Sequence, residues 1–255
     1  MPMKTLAVLL FSAILTFLSG CAVSFEESIS ASDLTIDELE NRMSKAMDPD
    51  GRFARAATYV MRQQITTENG WLEPLLVQMV EVKFRRPDQF KLTTYTDNQP
   101  ETAIIASGNQ GWMVDYKREK IVVLEKNALK RVLVMVRLTN PGSRVRNVFE
   151  NVSIDRSTID EEVFYRLTCS NGSNAPMYIY VDSKAYLNKR LRMTTTVNGY
   201  RLRYDSRMLN YGMYEGVLIP DESIIRQDGS EQKSKVIDYK LDIKLEDSEF
   251  RPPLF

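Results

Sequence analysis

Apolar and polar residues alternate along most of the chain beyond residue 55. In residues 80–85, Val80, Val82 and Phe84 alternate with charged side chains, and residues 112–117 repeat the pattern. A period of two places successive side chains on opposite faces of an extended strand, so the pattern indicates strands with one buried face. By the same pattern we expect further strands at residues 177–181, 190–196, 200–207, 213–219 and 236–245.

Turn signals separate the predicted strands at short intervals. Asn, Asp, Gly and Pro cluster at residues 68–70, 86–88, 97–100 and 107–109. Short strands joined by such turns predict an antiparallel meander and not alternating strand and helix units. A long antiparallel sheet must curl to bury its apolar face, either by closing as a barrel or by wrapping around helices.

A helix is predicted near the start of this region. Thr35 and Glu38 match a capping box, and apolar residues recur at helical spacing from Ile36 to Met47. The Asp-Pro-Asp-Gly sequence at residues 48–51 ends the helix.

A second helical segment interrupts the strands. Residues 127–138 carry apolar side chains at helical spacing from Leu129 to Val136, and an Asn-Pro-Gly sequence follows. Residues 143–151 predict a second short helix. One N-terminal helix and one helical insertion favour a sheet that wraps around helices over a closed barrel.

The first twenty residues have the pattern of a targeting segment. Lys4 precedes a short apolar run from Leu6 to Leu18, which is shorter than the roughly 20 residues that a transmembrane helix needs. A basic start, a short apolar core and small residues are typical of a secretory signal peptide.

Residues 18–21, Leu-Ser-Gly-Cys, resemble the lipobox of bacterial lipoproteins. The resemblance implies that Cys21 becomes the acylated first residue of the mature chain, and Ala22 after it is compatible with the outer membrane. The alternative is an ordinary signal peptide followed by an unmodified cysteine. We expect residues 1–20 to be a lipoprotein signal peptide, residues 21–33 a polar tether and residues 34–255 a single domain.

Composition excludes several classes of function. The chain has no histidine, which removes zinc sites and catalytic triads that depend on histidine, and we expect no metal and no cofactor. Thirty-four basic residues balance 34 acidic ones, so nothing indicates nucleic acid as a partner. No carboxylate pair has the spacing of a catalytic cleft, and we expect no enzyme. Cys169 lies in an alternating segment and is predicted to be a buried, inert thiol.

Several short motifs resemble, in their order, the periplasmic lipoprotein carrier and receptor family of the outer-membrane sorting pathway, the LolA/LolB-like proteins. They are the segment Val-Lys-Phe-Arg-Arg-Pro-Asp-Gln-Phe at residues 82–90, the hairpin residues 104–108, the Gly-Trp-Met-Val-Asp-Tyr segment 111–116 and the C-terminal residues 250–252. This resemblance covers most of residues 34–252.

The resemblance implies an α+β fold, namely an unclosed, strongly curved antiparallel half-barrel covered by an N-terminal helix and a helical lid at residues 127–151. In the carrier proteins the arginine of the Arg-Pro pair bonds to the lid, and the matching residue is Arg86, with Arg85 as the alternative. The large apolar side chains either fill a core or line a lipid cavity, and the candidates for the cavity are Trp71, Trp112, Met113, Leu129, Met135, Met177, Met193 and Met213.

The function that the resemblance implies is the binding of lipid or acyl chains by a lipoprotein anchored to the outer membrane and facing the periplasm, in lipoprotein or lipid transfer. Its partners would be membrane lipid through acylated Cys21 and the acyl chains of lipid or lipoprotein. An envelope regulatory or assembly lipoprotein that uses the same fold to bind a periplasmic protein partner is the alternative. Anchoring favours a receptor, whereas the strand motifs are closer to the carrier.

Overall fold

The computed structural model describes residues 27–68, 75–140, 143–172, 175–197 and 200–255. Within these ranges fourteen strands form one antiparallel sheet that does not close, accompanied by three α-helices. The predicted α+β half-barrel is therefore confirmed. No helix in the same ranges is long and apolar enough to cross a bilayer.

The helices are α1 (Ile36–Met47), α2 (Arg52–Arg55) and α3 (Lys126–Thr139). The strands are β1 (Glu27–Ala31), β2 (Thr58–Glu68), β3 (Leu76–Arg85), β4 (Gln89–Thr96), β5 (Gln99–Ser107), β6 (Gln110–Asp115), β7 (Lys120–Val123), β8 (Asn151–Ile159), β9 (Glu162–Ser170), β10 (Met177–Asp182), β11 (Asn188–Val197), β12 (Tyr200–Tyr214), β13 (Val217–Gln227) and β14 (Ser230–Leu241). Across the sheet their order is β1-β8-β9-β10-β11-β12-β13-β14-β2-β3-β4-β5-β6-β7. β14 therefore pairs with β2, and β1 and β7 form the two edges.

The alternating pattern assigns each strand residue to one of two faces. Val80, Val82 and Phe84 of β3 are buried on the face that the helices cover, which we call the inner face. Lys83 and Arg85 lie on the opposite, outer face. The cross-strand register carries this assignment from β3 around the whole sheet, because directly paired residues lie on the same face.

α1 begins at the predicted capping box. The Glu38 backbone N–H donates to Thr35 Oγ1 over 3.3 Å, and the Thr35 backbone N–H donates to Glu38 Oε2 over 2.8 Å. These bonds satisfy amides that the first turn of a helix leaves without partners. The predicted helix and its start are confirmed.

Two apolar clusters fill the inner face. The larger one lies between α2, α3 and strands β2–β5, β13 and β14, and its buried members include Phe53, Tyr59, Val82, Phe84, Phe90, Ile104, Leu129, Val136, Val217, Val236 and Tyr239. The second lies beneath α1, and its members include Leu39, Met43, Tyr165, Leu167, Cys169, Met177, Ile179 and Val181. α3 contributes side chains to both clusters.

The C-terminal segment crosses to the outer face. Asp242 adopts a left-handed conformation with φ 52°, and its Oδ1 accepts a hydrogen bond of 2.9 Å from the Ala57 backbone N–H. Phe250 beyond it is fully buried, and Glu249 forms a salt bridge of 3.0 Å with Lys83. The chain end thus covers part of the outer face of β3–β5.

Two predicted strands have the wrong bounds. The segment 213–219 is interrupted by Glu215 and Gly216, which have φ values of 52° and 81° and form the turn between β12 and β13. The segment 236–245 is shortened, because β14 ends at Leu241 before the turn at Asp242. In both places the alternation of apolar and polar residues continues through the turn, so the pattern alone did not reveal where the strand ends.

Two further predictions are corrected. Residues 27–31 of the predicted tether form β1, which pairs with β8 at the edge of the sheet. The short helix predicted at residues 143–151 is a single 3-10 turn, Val145–Asn147, before β8 begins at Asn151.

Substitution of Leu39 tests the contribution of α1 to the core. Leu39 is fully buried in the second cluster, so Leu39→Ala should lower the free energy of unfolding by about 2–5 kcal/mol through lost burial and cavity formation. Chemical denaturation measures the change. Lys45→Ala, at an exposed position of the same helix, should alter it by less than about 0.5 kcal/mol. Equal effects of the two substitutions would contradict this packing of α1.

Candidate functional site

The candidate site is the inner apolar face beneath α3, which we call the lid site. Leu129 and Val136 of α3 are buried in the larger cluster, and Val132 and Leu133 pack against it. Val134, Met135 and Leu138 pack against the second cluster beneath α1. The helix therefore lies across the junction of the two clusters.

α3 is only partly embedded in the site. Of its apolar side chains, Leu129 and Val136 are buried, whereas residues 132–135 and Leu138 keep intermediate exposure. An apolar helix that covers a permanent core usually buries its whole apolar stripe. Here the stripe is broad and only partly covered.

Two polar contacts hold the C-terminal end of α3 to the sheet. Arg137 Nη2 lies 3.1 Å from Asp88 Oδ1 in the turn between β3 and β4. The Tyr59 hydroxyl on β2 donates to Oδ1 of Asn140, the C-cap residue of α3, over 3.0 Å. We call this pair of contacts the lid latch. Each contact contributes on the order of 1 kcal/mol, so the latch is weak.

Close packing positions the N-terminal end of α3. A Cβ at Gly111 of β6 would lie 2.7 Å from Leu129 Cδ1 and 3.1 Å from Leu124 Cδ1. The Leu124 backbone N–H donates to the Gly111 carbonyl over 2.8 Å. The absent side chain at Gly111 therefore lets the helix start directly against the strand.

Aromatic rings line the α2 end of the lid site. Tyr59 lies between Phe84 and Tyr239, with ring centroids 5.2 and 5.6 Å away, and Phe53 of α2 lies 5.8 Å from it. The Tyr239 hydroxyl is buried and has no hydrogen-bond partner among the described residues. Burial raises the pKa of Tyr239 above its ordinary value. The site thus contains a neutral hydroxyl that can still donate or accept a hydrogen bond.

A second unsatisfied group lies in the cluster beneath α1. Glu40 is only 5% exposed, and its Oε1 accepts a long bond of 3.4 Å from the Arg146 backbone N–H. Its Oε2 has no partner within the described ranges. Burial, with a smaller effect of the Glu40 carboxylate, raises the pKa of Cys169 to about 12. This thiol is fully buried and stays protonated at neutral pH, so it is a poor nucleophile.

The chemistry of the lid site is therefore apolar, with two isolated polar anchors. An apolar surface binds hydrocarbon through the hydrophobic effect, and the buried Tyr239 hydroxyl and Glu40 Oε2 are polar atoms without a partner among the described residues, one in each of the two clusters. Across the described residues, no group of three or more metal-binding side chains is brought together.

In the described part of the chain, the side chain of Arg86 bonds to α2 and not to the lid segment. Its Nε and Nη2 donate to the Ala56 and Phe53 carbonyls at the end of α2, over 2.8 and 2.9 Å, and its guanidinium lies 5.2 Å from the Phe53 ring centroid. The expected contact with the insertion is wrong for this arrangement, because the side chain satisfies the last carbonyls of α2.

Arg85 does not bind the lid either. It lies on the outer face, where it donates to the Leu245 carbonyl over 3.1 Å and pairs with Asp247 over 2.6 Å. Its guanidinium stacks over Phe250 at 5.0 Å. The Arg85–Arg86 pair therefore fixes two different segments, one on each face of the sheet.

Most of the predicted cavity-lining residues lie on the inner face. Leu129 and Met135 belong to α3, and Met177 and Met193 are paired across β10 and β11 in the second cluster. Met113 is paired with Ile104, a buried residue of the larger cluster, and shares its face.

The other candidates do not line the lid site. Trp112 pairs with Ile105 and packs on the outer face, because neighbouring residues of a strand point to opposite faces. Met213 is paired with Leu218 on the outer face and is 60% exposed. Trp71 and Cys21 lie outside the described residues.

The latch residues Asp88, Tyr59 and Asn140 were not predicted. Asp88 and Asn140 each lie in a turn signal that the sequence shows, but a turn signal carries no information about a distant partner. Tyr59 resembles any aromatic residue of an alternating strand. The contacts join residues that are 49 and 81 positions apart.

The fold has counterparts among solved structures. The crystal structure of a LolA superfamily protein from Nitrosomonas europaea is 15% identical, with a TM-score of 0.59, over 86% of this chain and 98% of that chain. A DUF1329 family protein from Desulfovibrio piger is 8% identical, with a TM-score of 0.57, over 85% and 97%. A candidate outer membrane lipoprotein-sorting protein domain from Vibrio parahaemolyticus is 12% identical, with a TM-score of 0.51, over 83% and 97%.

These likenesses establish the fold, which is that of LolA superfamily and lipoprotein-sorting proteins. No family model matches the sequence, and no curated protein matches it either. At such low identities the shared feature is the covered half-barrel and not any particular residue.

Disruption of the lid latch should loosen α3 selectively. Asp88→Ala combined with Tyr59→Phe removes both polar contacts, worth about 1–2 kcal/mol together, so amide hydrogen exchange in residues 126–139 should accelerate by about 5- to 30-fold. Exchange in the central strands should not change. Lys240→Gln, which breaks a surface ion pair with Asp238, is the control and should leave α3 unaffected. Unchanged exchange in the double variant would show that these contacts do not hold α3.

Proposed function

We propose that the lid site binds the acyl chains of a lipid or lipoprotein, and that the protein acts in lipid or lipoprotein transfer at the bacterial envelope. The observation that carries the proposal is α3 itself, an incompletely buried apolar helix that spans two apolar clusters and is tied at one end by the weak lid latch.

The energetics favour insertion of a chain between α3 and the sheet. Each buried methylene contributes about 0.8 kcal/mol, whereas the latch contributes about 1–2 kcal/mol. A chain that lies under α3 keeps the apolar side of the helix covered, so the main cost of displacing the helix is the latch. A few methylenes offset that cost.

The two polar anchors distinguish this site from a simple apolar core. A buried hydroxyl or carboxylate oxygen without a partner costs free energy in the closed state. A ligand with an ester, amide or hydroxyl group next to its chains would relieve that cost at the Tyr239 hydroxyl or at Glu40 Oε2. The proposed ligand is therefore an acylated molecule with a small polar linkage.

The proposed location rests on residues 18–21 and on the fold. The Leu-Ser-Gly-Cys sequence matches a lipobox, and the fold is shared with lipoprotein-sorting proteins. Acylation at Cys21 would hold the protein on a membrane facing the periplasm, and Ala22 is compatible with the outer membrane. Two or more acyl chains give stable anchoring where one does not.

Uptake of a fatty acid tests the ligand. Because the complete sheet lies within residues 27–255, a form that begins at residue 22 keeps every described element and should bind cis-parinaric acid, measured by its fluorescence. Leu133→Glu places a carboxylate on the partly buried side of α3 and should weaken binding at least tenfold, because burying an unpaired charge is costly.

Lys130→Glu is the matched control on the same helix. Lys130 is exposed, so this substitution should leave the affinity within about twofold of the parent form. No uptake by the parent form, or equal losses in both variants, would contradict the proposal. Purification of a protein partner without any lipid would favour the regulatory alternative instead.

Acylation of Cys21 has its own test. Mass spectrometry of the full-length protein purified from bacterial membranes should show a chain that begins at Cys21 and carries acyl groups. Cys21→Ser should abolish the acyl modification. An unmodified Cys21 in the membrane-derived protein would show that the segment is an ordinary signal peptide.

A further inference from the structure

A groove of about 910 Å³ lies on the outer face of strands β9–β12, away from the lid site. We call it the arginine groove. Its lining includes Glu27, Arg166, Tyr178, Arg192, Arg203 and Arg226. The register places these side chains together: Arg192 is paired with Tyr178 on one side and with Asp205 on the other, and Arg203 is paired with Thr194.

Most carboxylates of this region pair with arginines other than Arg192 and Arg203. Asp205 is bonded to Arg190, with 2.7 Å between Oδ1 and Nε, and Glu231 pairs with Arg226 over 2.7 Å. Arg166 pairs with Asp155 over 3.1 Å and with Glu27 over 3.3 Å. Asp228 also lines the groove, and among the described residues its carboxylate forms no salt bridge.

Of the arginines that line the groove, Arg192 and Arg203 have the weakest ion pairing among the described residues. The Arg192 side chain is 37% exposed, and its only ion pair is a long contact of 4.0 Å with Glu27, within the described ranges. Arg203 is exposed, and its guanidinium forms no salt bridge among the described residues; the nearby Asp228 accepts a bond of 3.0 Å from its backbone N–H. Two guanidinium groups are therefore open to an anion.

Arginines outnumber carboxylates by one in the lining of the groove, with four arginines against Glu27, Asp205 and Asp228. Arg190 and Arg207 are directly opposed on β11 and β12, an arrangement that like charges disfavour. Burial first, and then the neighbouring Arg190, lowers the pKa of Arg207, as expected where arginines outnumber carboxylates. In addition, Arg166 Nε is buried without a hydrogen-bond partner in the described part of the chain.

The position of the groove indicates which anion it meets. Glu27, the first residue of β1, lines the groove, and only the five residues 22–26 separate it from Cys21. The six Cα-to-Cα steps from Cys21 to Glu27 span at most about 20 Å when the chain is fully extended. A membrane anchor at Cys21 would therefore keep this groove within about 20 Å of the bilayer surface, within roughly two Debye lengths at physiological salt.

We propose that the arginine groove docks onto the phosphate groups of anionic lipids in the membrane that holds Cys21. The proposal rests on the proposed acylation of Cys21, but not on binding in the lid site. Guanidinium groups bind phosphate oxygens in pairs of hydrogen bonds, and Tyr178, over which Arg166 stacks at 5.4 Å, adds a ring of the kind that is enriched at membrane surfaces. Docking would orient the half-barrel with the outer face of strands β9–β12 toward the membrane.

Vesicle binding by the form that begins at residue 22 tests the groove without the acyl anchor. It should co-sediment with vesicles of phosphatidylcholine and phosphatidylglycerol, and much less with phosphatidylcholine alone. Arg192→Gln combined with Arg203→Gln should weaken binding by about tenfold or more, at roughly a factor of five per charge removed. Binding should also fall as salt rises from about 0.1 to 1 M.

The control variant removes two cations from the opposite edge of the sheet. Lys117 precedes β7, Lys120 is its first residue, and both are exposed. Lys117→Gln with Lys120→Gln removes two positive charges, as the Arg192 and Arg203 double variant does. This variant should bind anionic vesicles within about twofold of the parent form. Equal losses in the two double variants would overturn the proposal, and so would absence of binding to anionic vesicles in the parent form.

The two proposals can fail separately. The Arg192 and Arg203 variant should still take up cis-parinaric acid, whereas Leu133→Glu should still bind anionic vesicles. A parent form that binds vesicles but takes up no fatty acid would contradict the lid site alone. A parent form that takes up fatty acid but ignores anionic vesicles would contradict the groove alone.

Discussion

Two apolar clusters lie on the inner face of the sheet, and no second sheet among the described residues packs against it. In the described part of the chain, fourteen strands run from edge to edge without closing, so helices must cover this face. α1 does so with fully buried side chains such as Leu39. α3 does so incompletely, because it spans two clusters and is tied by the lid latch. The helix cover that stabilises the fold therefore leaves part of the apolar stripe of α3 exposed.

Local signals predicted the architecture well. The capping box at Thr35, the helical spacing in residues 127–138 and the alternation of residues 80–85 each describe structure within a few residues, and all three are confirmed. β1 was missed because its sequence, Glu-Ser-Ile-Ser-Ala, is mostly exposed and polar and makes its bonds with β8, far along the chain. A strand that depends on a distant partner leaves little trace in its own composition.

The candidate site was predicted only in part, and for a similar reason. Helical spacing identified the apolar stripe of α3, including Leu129, but the alternation alone did not decide which of Trp112 and Met113 faces inward. The role of Arg86 was carried over from the family resemblance, and here its partners are carbonyls of α2, a helix that the sequence did not predict. Contacts between distant segments are set by the whole fold, and no short motif contains them.

β1 also determines how the domain would respond to a pull on its N-terminal end. It is five residues long, four of them are exposed, and β8 is its single neighbour in the described sheet. A load applied at residue 27 reaches the pair Glu27–Ile159 first and would peel the strand from that end, adding about 17 Å of slack before the rest of the sheet is strained. That first pair is the reinforced one, since the Glu27 carboxylate bonds to Ser157 and Arg166. The side-chain bonds of Glu27 therefore stabilise β1 at the end where a pulling force would act first.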